Sequence, residues 1–413
     1  MKQERKFNTI LVTGGAGFIG SNFVKHALSS GITRKVVVLD AFTYAGTPEN
    51  LGSFMENSQA LITTAGEAFE GIPWQGNEER RVLGPKEVPC DWEPKLRPYP
   101  KALVDLQELS RRLDAFVAGK QDFVLVVGSI TDAPLVEALV DRVDAVVNFA
   151  AETHVDRSIL NPSAFLTTDV VGTYTLLDAA RRAGWNLESG HRFLHISTDE
   201  VYGVAYEGSF TEESPINPRN PYSAAKAAAD RLAASFFTTY GLPVLIVRPS
   251  NNFGPHQYPE KLVPVMVINA LNDKPLPIYG DGTQKREWLF VKDCCSAIAT
   301  VLTKGELGEV YNITAGNERE NREVVHRILE RLGKPKSLIR HVKDRPGHDI
   351  RYSISAEKLK RELGWQPEHS FEEALNATID WYVENREWWQ RILERDEEYR
   401  RFWEAWYGER LAT

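Results

Sequence analysis

A doubly wound, parallel α/β sheet with a smaller, discontinuous second lobe is the fold class this sequence predicts. Three observations predict it. Short apolar strands alternate with helical patterns through the first 250 residues, the first strand empties into a glycine-rich turn, and the chemistry-bearing motifs follow the ends of successive strands. Alternation of this kind means parallel strands joined by crossover helices that cover both faces. In such sheets ligands bind at the carboxyl ends of the strands.

Residues 9–13 read as a short buried strand leading into Gly14-Gly15-Ala16-Gly17-Phe18-Ile19-Gly20, and Phe23, Val24, Ala27 and Leu28 continue as a helix. Glycines there let the backbone turn tightly and approach a pyrophosphate, which rests on the helix N-terminus. A second strand, 35–39, ends in Asp40. An acid at that place bonds both ribose hydroxyls and repels a 2′-phosphate, so the pattern predicts a Rossmann-like NAD site rather than one for NADP. Further strands are expected at 123–127, 145–149, 193–196 and 244–247, with helices near 135–140, 164–183 and 224–240. Gly14, Asp40, Ala150-Ala151-Glu152, Thr198-Asp199-Glu200 and Asn251-Asn252 all begin at strand ends.

Bulk composition narrows the function classes. The chain has 413 residues, 42% hydrophobic and 10% aromatic, enough for two domains or one with a second lobe. A net charge of −8 without a basic cluster argues against nucleic acid or an anionic membrane as partner. The start of the chain does not read as a signal peptide, and no apolar run is long enough for a membrane span. Cys90, Cys294 and Cys295 lack metal-ligand spacing and read as free thiols of a reducing cytoplasm, with no metal site expected.

Tyr222 precedes Lys226 by one helical turn, which puts both side chains on one face. There the ammonium is expected to lower the phenol from its ordinary value of about 10 and make it a base. Asp199 and Glu200, next to Thr198, add a second acid–base pair. Oxidation alone does not need that pair; removing water from a sugar does, since one group takes a proton while another gives one.

Thr13-Gly14-Gly15-Ala16-Gly17-Phe18-Ile19-Gly20 with Tyr222 and Lys226 resembles the extended short-chain dehydrogenase/reductases. The finer resemblance is to the dTDP-glucose 4,6-dehydratases. It rests on Leu39-Asp40-Ala41-Phe42-Thr43-Tyr44-Ala45-Gly46, on Ala150-Ala151-Glu152-Thr153-His154-Val155-Asp156-Arg157-Ser158 and on Ser197-Thr198-Asp199-Glu200-Val201-Tyr202-Gly203. Ser250-Asn251-Asn252-Phe253-Gly254-Pro255, Pro259-Glu260-Lys261-Leu262 and Asp344-Arg345-Pro346-Gly347-His348-Asp349 continue it. Three places depart from the pattern. Residues 53–121 exceed the family's short connection, Gly128-Ser129-Ile130 replaces Gly-Asp-Ile, and Asp169 stands where asparagine is common.

The resemblance implies an NAD-binding domain at 1–250 plus about 285–303, interrupted by the insertion at about 53–121, and a nucleotide-sugar lobe at 251–284 and 304–413. It implies cofactor contacts at Gly14, Gly17, Phe18, Ile19, Gly20, Asp40, Thr43, Ser129, Ile130, Ala150 and Ala151, besides Tyr222 and Lys226. Substrate contacts are implied at Thr153, Asn251, Lys261, Leu262, Pro277, Tyr279, Arg286, Asn321, Arg345 and His348. His154 either positions the sugar or orients the loop holding Asp156 and Arg157. In the implied reaction Tyr222 takes the 4-hydroxyl proton and Thr198 holds that hydroxyl. Glu200 then removes the C5 proton and Asp199 protonates the leaving 6-hydroxyl, or the reverse. A homodimer through helices 164–183 and 224–240 is also implied.

The insertion is rich in proline, with a helical leucine pattern at 101–118, and reads either as a lid or oligomer contact near the cofactor or as a surface excursion. Tyr399, Phe402, Trp403, Trp406 and Tyr407 form an aromatic stripe expected to pack on the second lobe. Three other functions stay open. A UDP-glucose dehydratase would differ only in base recognition. A nucleotide-sugar 4-epimerase would have no use for Asp199 and Glu200. A catalytically silent nucleotide-sugar sensor would not need the intact set.

Overall fold

The computed structural model describes residues 4–43, 45–52, 54, 61–63, 106–344 and 349–395, with backbone alone at 61–63 and 395. Its strands in chain order are β1 (Phe7–Thr13), β2 (Thr33–Asp40), β3 (Leu61–Thr63), β4 (Phe123–Val127), β5 (Ala145–Asn148), β6 (Arg192–Ile196) and β7 (Val244–Pro249). They continue with β8 (Asn251–Phe253), β9 (Leu276–Tyr279), β10 (Lys285–Phe290), β11 (Val310–Ile313), β12 (Glu318–Glu320) and β13 (Ile339–Val342).

Eight strands form one sheet in the order β11-β7-β6-β5-β1-β2-β4-β3. From β3 to β7 every pairing is parallel. Chain order reverses between β1 and β5, the switch point at which such sheets open a crevice for ligands. Burial on both faces explains the sequence of the strands: β4 and β5 are buried at every position, hence their unbroken apolar runs. Leu11, Val37, Val124, Val146 and Phe193 join Leu176 and Leu177 in one core beneath the helices.

Two compact units are present. One comprises Met1–Val201, Pro218–Arg248 and Ile298–Tyr311; the other comprises Tyr202–Asn217, Pro249–Ala297 and Asn312–Thr413. β10 and residues 291–297 thus lie in the second unit, whereas the sequence places 285–303 with the first. In the second unit β10 pairs in parallel with β8 and antiparallel with β12, and β9 pairs in parallel with β13.

Two further expectations change. The helix expected at 164–183 contains a π-helical stretch, Leu166–Gly172, between Pro162–Phe165 and Thr173–Arg182. Within 53–121 the helix expected over 101–118 is described from Leu106 to Ala118 and buries Leu109, Leu113 and Phe116 in the core, while β3, a strand not expected there, pairs with β4 at the sheet edge. Residues 64–105 and the aromatic stripe at 399–407 lie outside the described residues. Among the described residues no helix is long and apolar enough to cross a membrane.

Candidate active site

β1 delivers Gly14 at φ +64°, where a Cβ would lie 2.7 Å from the Ala150 amide nitrogen. At Gly20 a Cβ would lie 2.2 Å from the Gly14 carbonyl oxygen. Only glycine holds the turn this close to β5 and to its own helix. Gly17 donates its N–H to the Gly14 carbonyl at 3.1 Å and precedes helix Phe18–Ser29. The first turn of that helix, with Phe18, Ile19 and Gly20, has neither a side-chain cap nor an acidic residue. Its positive end therefore suits an anion.

Asp40, at the end of β2, is buried, and its carboxylate accepts the Ala16 N–H and the Phe42 N–H, each at 2.9 Å. Burial pushes this carboxyl up while the two amides pull it down. The acid expected at the ribose thus also braces the glycine turn, and each oxygen has a second lone pair for a hydroxyl. Thr43, Ala150 and Ala151 are partly buried around the strand ends. Ser129 Oγ pairs with Thr131 Oγ1 at 2.8 Å and accepts the Thr131 N–H at 3.2 Å. Ile130 is buried against Gly172, where a Cβ would come within 2.4 Å of its Cδ1. The glycine cradle, the uncapped helix end and the buried acid together fit a dinucleotide.

After β6 the chain enters the 3₁₀ turn Asp199–Tyr202. Thr198 and Asp199 are buried, and Thr198 Oγ1 donates to Asp199 Oδ1 at 3.2 Å and accepts the Glu200 N–H at 3.3 Å. Helix Pro221–Tyr240 starts at Asn220 through a capping box with Ser223, with proline in its first turn. Asn220 Nδ2 reaches Glu200 Oε2 at 3.4 Å. Tyr222 lies beside Thr198 and meets Phe165 edge-on with centroids 6.1 Å apart. Lys226, one turn on and buried, donates to the Ile196 carbonyl at 2.7 Å. All five expected catalytic residues therefore belong to the first unit and converge on the ends of β6 and the start of one helix. Thr153 is partly buried after β5, and His154 holds φ +98° at the start of Val155–Leu160, a backbone strain of the kind that clusters at functional sites.

In the second unit Asn251 on β8 pairs with Trp288 of β10. Lys261 starts helix Leu262–Leu271, and Pro277 and Tyr279 lie on β9. Asn321 starts helix Asn321–Leu332, its N–H donating to the Gln284 carbonyl at 3.0 Å. Arg286 is buried over the Tyr352 ring at 4.3 Å and donates to the Asp349 and Lys285 carbonyls, each at 2.8 Å. Arg345 and His348 lie outside the described residues.

The family model described as GDP-mannose 4,6 dehydratase matches residues 102–378, and that of the NAD dependent epimerase/dehydratase family matches 10–70. A dTDP-glucose 4,6-dehydratase of Xanthomonas campestris pv. campestris (strain B100) is 45% identical, over 94% of this chain and 96% of its own length. The chain belongs to the dTDP-glucose 4,6-dehydratase family. A solved dTDP-glucose 4,6-dehydratase from Streptomyces venezuelae, with NAD bound, superposes at TM-score 0.73 with 41% identity, over 93% of this chain and 99% of that one. One from Bacillus anthracis str. Ames, in complex with NAD, gives 0.72 and 40% over the same shares.

One expectation for this dehydratase family member is corrected. Tyr222 is pushed well above its ordinary value by burial and by Glu200, Asp169 and Asp199, and only the Thr198 hydroxyl pulls it down. Lys226, expected to lower the phenol, is itself pushed down by burial and gives its ammonium to a backbone carbonyl. Sequence reasoning also missed three supports of the site. Asn220 starts the helix that carries Tyr222 and Lys226, a role signalled by Asn-Pro ahead of Tyr222. Asp230 forms a buried ion pair with Arg248 at 2.8 Å, one turn beyond Lys226. Asn148 accepts from Thr13 at 2.7 Å and donates to Thr173 at 3.2 Å, a polar link beneath the glycine turn that no local pattern announces.

Proposed function

We propose that this protein converts dTDP-glucose to dTDP-4-keto-6-deoxyglucose, a redox-neutral dehydration in deoxysugar biosynthesis. The observation that carries the reading is the convergence of Thr198, Asp199, Glu200, Tyr222 and Lys226, an oxidation pair joined to a dehydration pair. When bound, NAD supplies the acceptor for hydride from C4, returns it to C6, and brings a positively charged nicotinamide to the site. Tyr222 Oη takes the 4-hydroxyl proton, and Thr198 positions that hydroxyl. Lys226 would hold the nicotinamide ribose. A ketone at C4 acidifies C5, whose proton Glu200 removes. Asp199 is given the acid's role at the leaving 6-hydroxyl, because it is the more deeply buried of the two and burial favours a neutral carboxyl.

Gly14, Gly17, Phe18, Ile19 and Gly20 would hold the pyrophosphate, Asp40 and Thr43 the ribose, and Ser129, Ile130, Ala150 and Ala151 the remaining cofactor contacts. Thr153 would meet the sugar. In the second lobe Asn251, Lys261, Leu262, Pro277, Tyr279, Arg286, Asn321, Arg345 and His348 would take the nucleotide diphosphate, arginine suiting its forked oxygens. The working unit is a homodimer through the helices at 164–183 and 224–240, which expose Leu166, Val171, Tyr174 and Tyr240.

The test is incubation of purified protein with dTDP-glucose, without reductant, and mass spectrometry of the product. Loss of one water with a 4-keto signal and no net NADH is expected. An unchanged mass with a C4 epimer would overturn the reading, as would faster dehydration of UDP-glucose or binding without turnover.

A further inference from the structure

Asp169 sits in the π-helical stretch Leu166–Gly172, in the position where the resembled motif has asparagine. It is 1% exposed. Its Oδ1 accepts the Glu152 N–H at 2.8 Å, while Oδ2 is buried with no hydrogen-bond partner among the described residues. Two lone pairs of an ionised carboxylate oxygen left bare in the interior are costly, and a proton on that oxygen removes most of the cost. The π-helical stretch packs against helix Pro221–Tyr240, which presents Tyr222 and Lys226. The charged and titratable groups around the pair are Glu152 from the loop after β5, Lys226 on the facing helix, and Glu200 and Asp199 from the 3₁₀ turn.

On the reading above, Tyr222 must lose its proton to act. A negative Asp169 opposes that loss, as does Glu200. We propose that Asp169 is a positioning residue that competes with Tyr222 for one proton: the two share a single negative charge in the working enzyme, and the tyrosine serves as base only while Asp169 Oδ2 keeps its proton. The step involved is proton exchange alone. The O–H bond of one group breaks, that of the other stays, and the released proton goes to solvent.

Burial pushes Asp169 up to about 8, against the pull of Lys226 and the Glu152 amide. Below that pH each unit of alkalinity raises the fraction carrying the charge on Tyr222. Above it the dominant form carries the charge on Asp169, whose ratio to the active form no longer depends on pH, so the gain stops. Asparagine keeps the acceptor for Glu152 and cannot compete for the proton.

The experiment compares pH profiles of kcat for wild type and Asp169→Asn, both loaded with NAD and given dTDP-glucose. The ratio of variant to wild type is expected to rise about tenfold between pH 7 and pH 9. Parallel profiles would overturn the proposal. A second reading needs no turnover: in the wild-type-minus-Asp169→Asn infrared difference spectrum, which cancels the band of the protonated Asp199, a protonated-carboxyl C=O band is expected at pH 7 and is lost through about pH 8. Identical spectra at pH 7 would also overturn it. Asp169→Ser serves for both readings should the asparagine variant not fold. If dTDP-glucose is turned over at no pH, the functional reading fails, and the infrared comparison alone decides the fate of Asp169.

Discussion

Tyr222 stands among three carboxyls that resist its ionisation, and one hydroxyl, that of Thr198, works the other way. Removing its proton-accepting oxygen should therefore abolish the first step rather than slow a later one. Tyr222→Phe is expected to lower kcat by roughly 10²–10⁴-fold, the usual contribution of a positioned acid–base group. Glu200→Gln should lower turnover by a similar order, with a distinct signature: in deuterated water the variant should fail to place deuterium at C5 of recovered dTDP-glucose. Exchange at the wild-type rate would remove Glu200 from the base's role. The sequence made these residues visible because each has a type and a spacing that chemistry requires. It did not reveal where the Lys226 ammonium points, because the Ile196 carbonyl that receives it is 30 residues away in sequence and is brought close only by the packing of the helix on β6.

At the scale of elements, the helix that carries Tyr222 and Lys226 is held at both its start and its third turn. Asn220 caps it, and Asn220→Ala should cost about 1 kcal/mol of stability, read from the urea midpoint, while loosening Glu200. Asp230, further along, is held at about 2 by hydrogen bonds and charge from Arg248 and Arg231, which outweigh the burial that raises it. A carboxyl depressed in this way contributes stability above its unfolded range, and that stability is lost as pH falls through the folded value. The pair should thus stay formed down to about pH 2. Asp230→Asn leaves Arg248 buried without its counter-charge and is expected to cost roughly 3–5 kcal/mol in urea unfolding. A loss below about 1 kcal/mol would show that the pair is not a fixed part of the helix's support. The strands were legible in the sequence because burial on both faces leaves unbroken apolar runs. The π-helical stretch was not, since its buried Asp169 and Gly172 follow the buried Phe165 before it at the same three- to four-residue spacing. The edge strand β3 escaped notice because three residues carry too little alternation to register.

For the whole molecule, the expected homodimer has a direct test. Leu166→Glu with Tyr174→Glu, both on exposed positions, should convert a species of twice the chain mass into monomer in analytical ultracentrifugation. A wild-type monomer would remove the dimer from the reading. The first unit was legible from its alternating pattern, whereas the second was legible only through motifs, because its short strands and scattered contacts show no period of their own. The π-helical stretch has one more consequence, and it concerns the length of the chain rather than its composition. A π turn is an α-helix with a residue to spare, so an in-frame deletion of one codon within 166–172 would let the helix close with ordinary hydrogen bonds. Because the wide turn has already absorbed that residue, side chains before and after the cut would keep their directions relative to one another. Phe165 would stay against Tyr222 and Thr173 with Asn148. Such a mutant is expected to keep its circular dichroism and its melting temperature, so a change in activity alone would report what the spare residue does for the site.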